Sequence, residues 1–144
     1  MIGLDTSFLV GLSIREHPAH AACWRLFENE IRGREGSAAL CSQVLAEFIH
    51  VVTDPRRFER PLAMEEALEI TQQWWNAAEC VPVASSERAI AIFLDWMGQY
   101  HLGRKRVLDT LLAASYHCAG VVRIASTNWR DFAVFDVFEP VGLD

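Results

Sequence analysis

The stretch Ile2-Gly3-Leu4-Asp5-Thr6-Ser7-Phe8-Leu9-Val10 opens with a short apolar run, closes it on an acid and passes at once into an amphipathic segment. The run reads as a strand, and a hydroxyl at Thr6 or Ser7 suits the cap of a following helix. Asp5 then falls at the carboxyl end of a strand, which is where open α/β sheets gather their ligands. An aspartate in that place has two readings: a local cap for the helix, or a side chain delivered into a crevice.

Working outward, the same alternation repeats. His17-Pro18 starts a helix with Ala22, Leu26 and Phe27 on one face, ending near Gly33 to Gly36. Ala38 to Cys41 is a brief second strand, and Ser42 is placed to cap a helix whose Val44, Leu45, Phe48, Val51 and Val52 recur at helical spacing. Asp54-Pro55 ends it. After the basic connection around Arg56, Arg57 and Arg60, a helix from Ala63 to Ala77 precedes a third strand at Glu79 to Val83. Ser85 or Ser86 caps a helix reaching about Tyr100, and Val107 to Cys118 forms the most apolar helix, closed by Gly120. Val121 to Ser126 is strand-like, Asn128 to Asp131 a turn, and Val134 to Val141 offers a final edge strand. This order predicts a three-layer α/β/α fold with a mainly parallel sheet. With no repeat and no dividing linker, residues 1–144 are expected to form one domain.

Composition narrows the class. Just over half of the 144 residues are hydrophobic, and five tryptophans and eight phenylalanines supply material for a packed core. Thirteen basic against nineteen acidic residues give a net charge of −6, which argues against coating nucleic acid by bulk attraction. A nuclease stays compatible with that charge, because cations held by clustered carboxylates reverse the local sign. Cys23, Cys41, Cys80 and Cys118 form no C-x-x-C pair, so buried free thiols are expected and a zinc site is not. Without a leader-like start or a long apolar run, the reading is a soluble cytoplasmic protein with no membrane partner.

The acids carry the chemistry. Asp5 ends a strand, Glu47 and Asp109 sit early in apolar helices, and Asn128 to Asp131 follow another strand. All four places border the crevice of an open sheet. Carboxylates gathered there repel one another and are stable in ionised form when a dication neutralises them. Oxygen donors without thiolate select Mg²⁺ or Mn²⁺, and phosphodiester hydrolysis by metal-activated water is the reaction that suits such a centre.

Four segments, I-G-L-D-T-S at Asp5, S-Q-V-L-A-E-F at Glu47, R-V-L-D-T-L-L-A-A-S at Asp109 and A-S-T-N-W-R-D-F near the end, together resemble the PIN-domain nucleases, specifically the VapC-type toxins of bacterial toxin–antitoxin pairs. The resemblance runs from Ile2 to Phe132. It implies catalytic acids at Asp5, Glu47, Asp109 and Asp131, with Asp5 and Asp109 as direct metal ligands and Thr6 and Thr127 as outer hydroxyls. Many members carry an acid where this chain has Asn128, so Asn128 offers a neutral oxygen and Asp131 is the nearest carboxylate. The resemblance further implies an RNA substrate, a cognate antitoxin and a homodimer. Arg104, Lys105 and Arg106, just ahead of Asp109, are candidates for phosphate contact. The same site also serves PIN nucleases of RNA maturation or decay, and a degenerate PIN scaffold that binds RNA or protein is the non-enzymatic alternative. Trp74 and Trp75 read as core or dimer residues, and no histidine has metal-site spacing.

Overall fold

The computed structural model describes residues 1–143. Strands β1 (Ile2–Leu4) and β2 (Ala38–Cys41) are buried at every position, as apolar runs covered on both faces must be. They are joined by β3 (Cys80–Val83), β4 (Arg123–Ala125) and β5 (Glu139–Pro140) in the order β3-β2-β1-β4-β5, every pair parallel. Pro82 pairs with Leu40, a place that proline can hold because β3 lies at the sheet's edge.

Helices α1 (Thr6–Ser13), α2 (His20–Leu26), α3 (Ser42–Val52) and α4 (Met64–Asn76) lie in the connections that step from β1 to β2 to β3. Helices α5 (Glu87–Gln99), α6 (Val107–Cys118) and α7 (Arg130–Ala133) lie in those that return over the sheet to β4 and continue to β5. Parallel crossovers are right-handed, so the reversal in direction puts the two sets on opposite faces. Packing follows that division: α1 contacts α2 and α3, and α3 contacts α4, whereas α5 packs on α6 and α6 on α7. The three-layer α/β/α arrangement follows, and its direction switches between β1 and β4.

Several boundaries differ from the sequence reading. Asp5, not Thr6 or Ser7, holds the N-cap position of α1, and Cys41, not Ser42, that of α3. Neither uses its side chain as a cap, because each parallel strand passes directly into its helix. Helix α2 starts at His20 rather than at His17-Pro18, since the His17 ring accepts the Ala19 N–H and closes a local turn, and it runs on as a π-turn over Phe27–Ile31. The edge strand expected over Val134 to Val141 shrinks to Glu139–Pro140: Arg130–Ala133 is helical and Asp136 takes φ 53, which breaks an extended path.

Tyr116 fixes the centre of the molecule. Fully buried on α6, it donates its hydroxyl proton to the Leu4 carbonyl at 2.6 Å, stands 3.1 Å from the Ala39 carbonyl and accepts the Cys41 N–H at 3.4 Å. Its ring lies flat enough on β1 that a Cβ on Gly3 would meet Cδ2 at 2.8 Å, which explains the glycine. The same α6 carries Asp109 two turns earlier, and Leu4 immediately precedes Asp5, so this strut sets the distance between the two acids. Gly120, at φ 78, closes α6 as the sequence implies. On the α1–α4 face, Trp74 packs edge-on against Phe27 and lines an apolar groove of about 430 Å³ with Leu12, Trp24 and Ile70, while Trp75 is exposed. All four cysteines are free thiols. Among the described residues no helix is long and apolar enough to cross a membrane.

Candidate active site

The switch between β1 and β4 creates a crevice at their carboxyl ends, the general ligand position of open α/β sheets. Asp5 leaves β1 there. Its N–H donates to the Ala125 carbonyl of β4 at 3.1 Å, and its own carbonyl starts α1 by accepting from Phe8 and Leu9. The residue is 7% exposed. Since its side chain makes no capping bond, the local-cap reading does not account for it: the carboxylate turns toward Ser7 and Ser126 instead, accepting a hydroxyl proton from each at 2.7 Å.

Glu47 reaches the crevice from α3 on one face of the sheet, and Asp109 from the first turn of α6 on the other. Burial pushes the Glu47 carboxyl up, the Asp5 charge adds to this, and Arg57, His50 and a hydrogen bond from Thr6 oppose it. Asp109 is pushed from 3.8 up to about 6 by burial, then by the charges of Asp5, Glu47 and Asp131, with Arg106 as the opposing cation. The four acids that the sequence singled out thus share one electrostatic neighbourhood. They converge without touching: among the described residues no trio of His, Cys, Asp or Glu is already arranged to hold a metal ion.

The remaining candidates fall around this cluster. Thr6 is met at Glu47, where its hydroxyl is the weakest of the groups that oppose the rise of that carboxyl. Thr127 takes part through its backbone, its N–H donating to Ser7 Oγ at 3.0 Å. Asn128 is exposed at the start of the turn, where its carbonyl accepts the Asp131 N–H. Arg104–Arg106 form a single 3₁₀ turn ahead of α6, with Arg104 and Lys105 exposed and Arg106 bonded through its guanidinium to the Asp131 carbonyl. Arg57, read earlier only as part of a basic connection, pairs with Asp54 at 3.5 Å and faces Glu47. Ser126 escaped the sequence reading as a site residue. The available signal was a polar residue closing an apolar strand, in the mirror position to Asp5 on the neighbouring strand.

The donor set fits a hard dication. The converging donors are carboxylate oxygens, two of the carboxyls are raised by burial and then by the charge of their neighbours, and among the described residues Arg57, His50 and Arg106 are the cations that oppose this.

A sequence profile described as the PIN domain matches residues 2–137. Ribonuclease VapC27 of Mycobacterium tuberculosis is 28% identical over 144 residues, spanning 99% of this chain and 93% of that protein. Among solved structures, the Mycobacterium tuberculosis VapC20 sarcin-ricin loop cleaving toxin matches with a TM-score of 0.71 at 15% identity, over 93% of this chain and 95% of that one. A toxin–antitoxin complex from Klebsiella pneumoniae matches with a TM-score of 0.65 at 13% identity, over 100% and 98%. At such identities the structural likeness is one of fold.

Proposed function

The chain belongs to the PIN-domain family, and from that premise we propose that it is a Mg²⁺- or Mn²⁺-dependent endoribonuclease acting as the toxin of a toxin–antitoxin pair. What supports this reading most is the setting of Asp109, whose carboxyl is raised by burial and then by the charges of Asp5, Glu47 and Asp131, so that the four acids lie within electrostatic reach of one another. The likeness to a protein named as a ribonuclease supports the activity, and the likeness to a toxin–antitoxin complex supports the partner.

Asp5 and Asp109 would hold the cation directly, with Glu47, Asp131 and the neutral oxygen of Asn128 completing its surroundings. When bound, the cation supplies Lewis acidity toward water and phosphate and stabilises charge on the leaving oxygen. The chain's own residues supply the rest. Arg104 and Lys105, exposed on the turn that leads into α6, attract the RNA backbone, and Arg106 holds the Asp131 segment against α6. Thr6 orients Glu47. A homodimer, which the family resemblance implies, has an apolar face to use: Ile90 and Leu94 lie one turn apart on α5 and are 41% and 62% exposed.

Asp5→Asn and Asp109→Asn are each expected to abolish cleavage of total cellular RNA in Mn²⁺ while the protein stays folded; full activity in both would overturn the mechanism. Asn128, standing where an acid is common, favours a second reading as a scaffold that binds without cutting. Calorimetry separates the two, since the scaffold takes up no Mn²⁺. Growth arrest on induction, relieved by a co-expressed antitoxin, separates a toxin from a nuclease of RNA maturation or decay.

A further inference from the structure

Two serine hydroxyls hold one oxygen of Asp5. Ser7 Oγ and Ser126 Oγ each donate to Asp5 Oδ2 at 2.7 Å and lie 3.1 Å from each other. Behind them, the Thr127 N–H donates to Ser7 Oγ and the Asn128 N–H to Ser126 Oγ, both at 3.0 Å. The proton count is closed. Each hydroxyl has one proton and gives it to Oδ2; each hydroxyl oxygen is fed by one backbone N–H from the turn after β4. Ser126 is fully buried, so water cannot replace it in this arrangement. Among the described residues no hydrogen bond reaches Asp5 Oδ1.

We propose that Ser7 and Ser126 act as paired positioning residues, which saturate Asp5 Oδ2 so that Asp5 offers a dication Oδ1 alone, and which tie the Thr127–Asn128 turn to that ligand. The proposal rests on the metal-centre reading above. Its physical content is that a carboxylate with one oxygen fixed by two donors keeps its plane and presents a single, directed ligand atom. A carboxylate freed from both would rotate and bind in two-oxygen or one-oxygen fashion, with a looser centre. The pair also links Asn128 to Asp5: the Asn128 backbone N–H is the far end of a chain of bonds that runs through Ser126 Oγ to Asp5 Oδ2.

The test uses the full chain and Mn²⁺ alone. Calorimetry on wild type, Ser7→Ala, Ser126→Ala, Ser7→Thr and Asp5→Asn is paired with amide hydrogen exchange in EDTA. Ser7→Ala and Ser126→Ala are each expected to weaken Mn²⁺ binding at least about tenfold, and Ser7→Thr, which keeps the hydroxyl, to stay near wild type. Protection should fall at the Thr127 amide in Ser7→Ala and at the Asn128 amide in Ser126→Ala. Wild-type Mn²⁺ affinity in the folded alanine variants, with binding lost in Asp5→Asn, would overturn the serine pair and leave the metal centre intact. Binding indifferent to Asp5→Asn would overturn both. If buried Ser126→Ala fails to fold, the half-buried Ser7→Ala and Ser7→Thr comparison decides alone.

Discussion

Replacing Asp109 by asparagine should stabilise the cation-free protein while destroying its activity. The carboxyl is raised from 3.8 to about 6, first by burial and then by Asp5, Glu47 and Asp131. A shift of about two units corresponds to about 3 kcal/mol between the charged and neutral forms, and the partial exposure of the side chain reduces this to about 2 kcal/mol. The sign follows from linkage: a carboxyl raised in the folded state costs nothing while it is protonated in both states, below about pH 4. The cost grows as the unfolded chain ionises first and is complete above about pH 6. Asparagine keeps the shape and removes the charge. Thermal melts in EDTA should therefore show the variant melting about 6 °C above wild type near pH 7.5, with the gap closing toward about pH 4. Adding Mn²⁺ should reverse the order, because a cation that binds only the folded wild type stabilises it by mass action. Comparing variant with wild type at each pH cancels the titrating groups that do not interact with Asp109. A gap that is negative in EDTA, or that does not change with pH, would refute the electrostatic reasoning.

Two further substitutions test how the site is held. Gly3→Ala would bring a Cβ within 2.8 Å of the Tyr116 ring, and overpacking of that kind is expected to cost about 1–3 kcal/mol in urea unfolding. Tyr116→Phe leaves the Leu4 carbonyl without its side-chain donor and the Cys41 N–H without its acceptor. It should cost about 1–3 kcal/mol, and RNA cleavage should fall further than folding does, since the strut sets the spacing of Asp5 and Asp109.

What was legible in the sequence follows from how strongly each feature is dictated locally. Ala38–Cys41 and Val107–Cys118 read correctly to the residue because an unbroken apolar run and a strongly apolar helix ended by Gly120 leave few alternatives. Asp5 and Glu47 could be placed on their elements because each stands beside a core residue, Leu4 and Phe48, and Asp109 because it opens the apolar helix that buries Leu112, Ala113 and Tyr116. The boundaries that failed were decided elsewhere in space. Val134 to Val141 has strand composition, yet Phe132 and Phe135 are drawn into the core and Trp96 stacks on Phe135 at 4.5 Å, which requires a compact turn. Hydroxyl roles were the least legible. Thr6 and Ser7 are neighbours in sequence but serve different acids, and Ser126 acquires its role only because β4 lies beside β1.

That last adjacency bears on how the molecule is made. β4 lies beside β1 in the sheet but far from it in the chain, and the acids reach the crevice from helices on both faces of the layer that this pairing completes. Until β4 docks, the segment that carries Asp5 and Glu47 has no fixed relation to Asp109 and Ser126. The candidate site is therefore a product of long-range pairing, and its assembly is tied to the docking of β4 rather than to any local stretch of the chain.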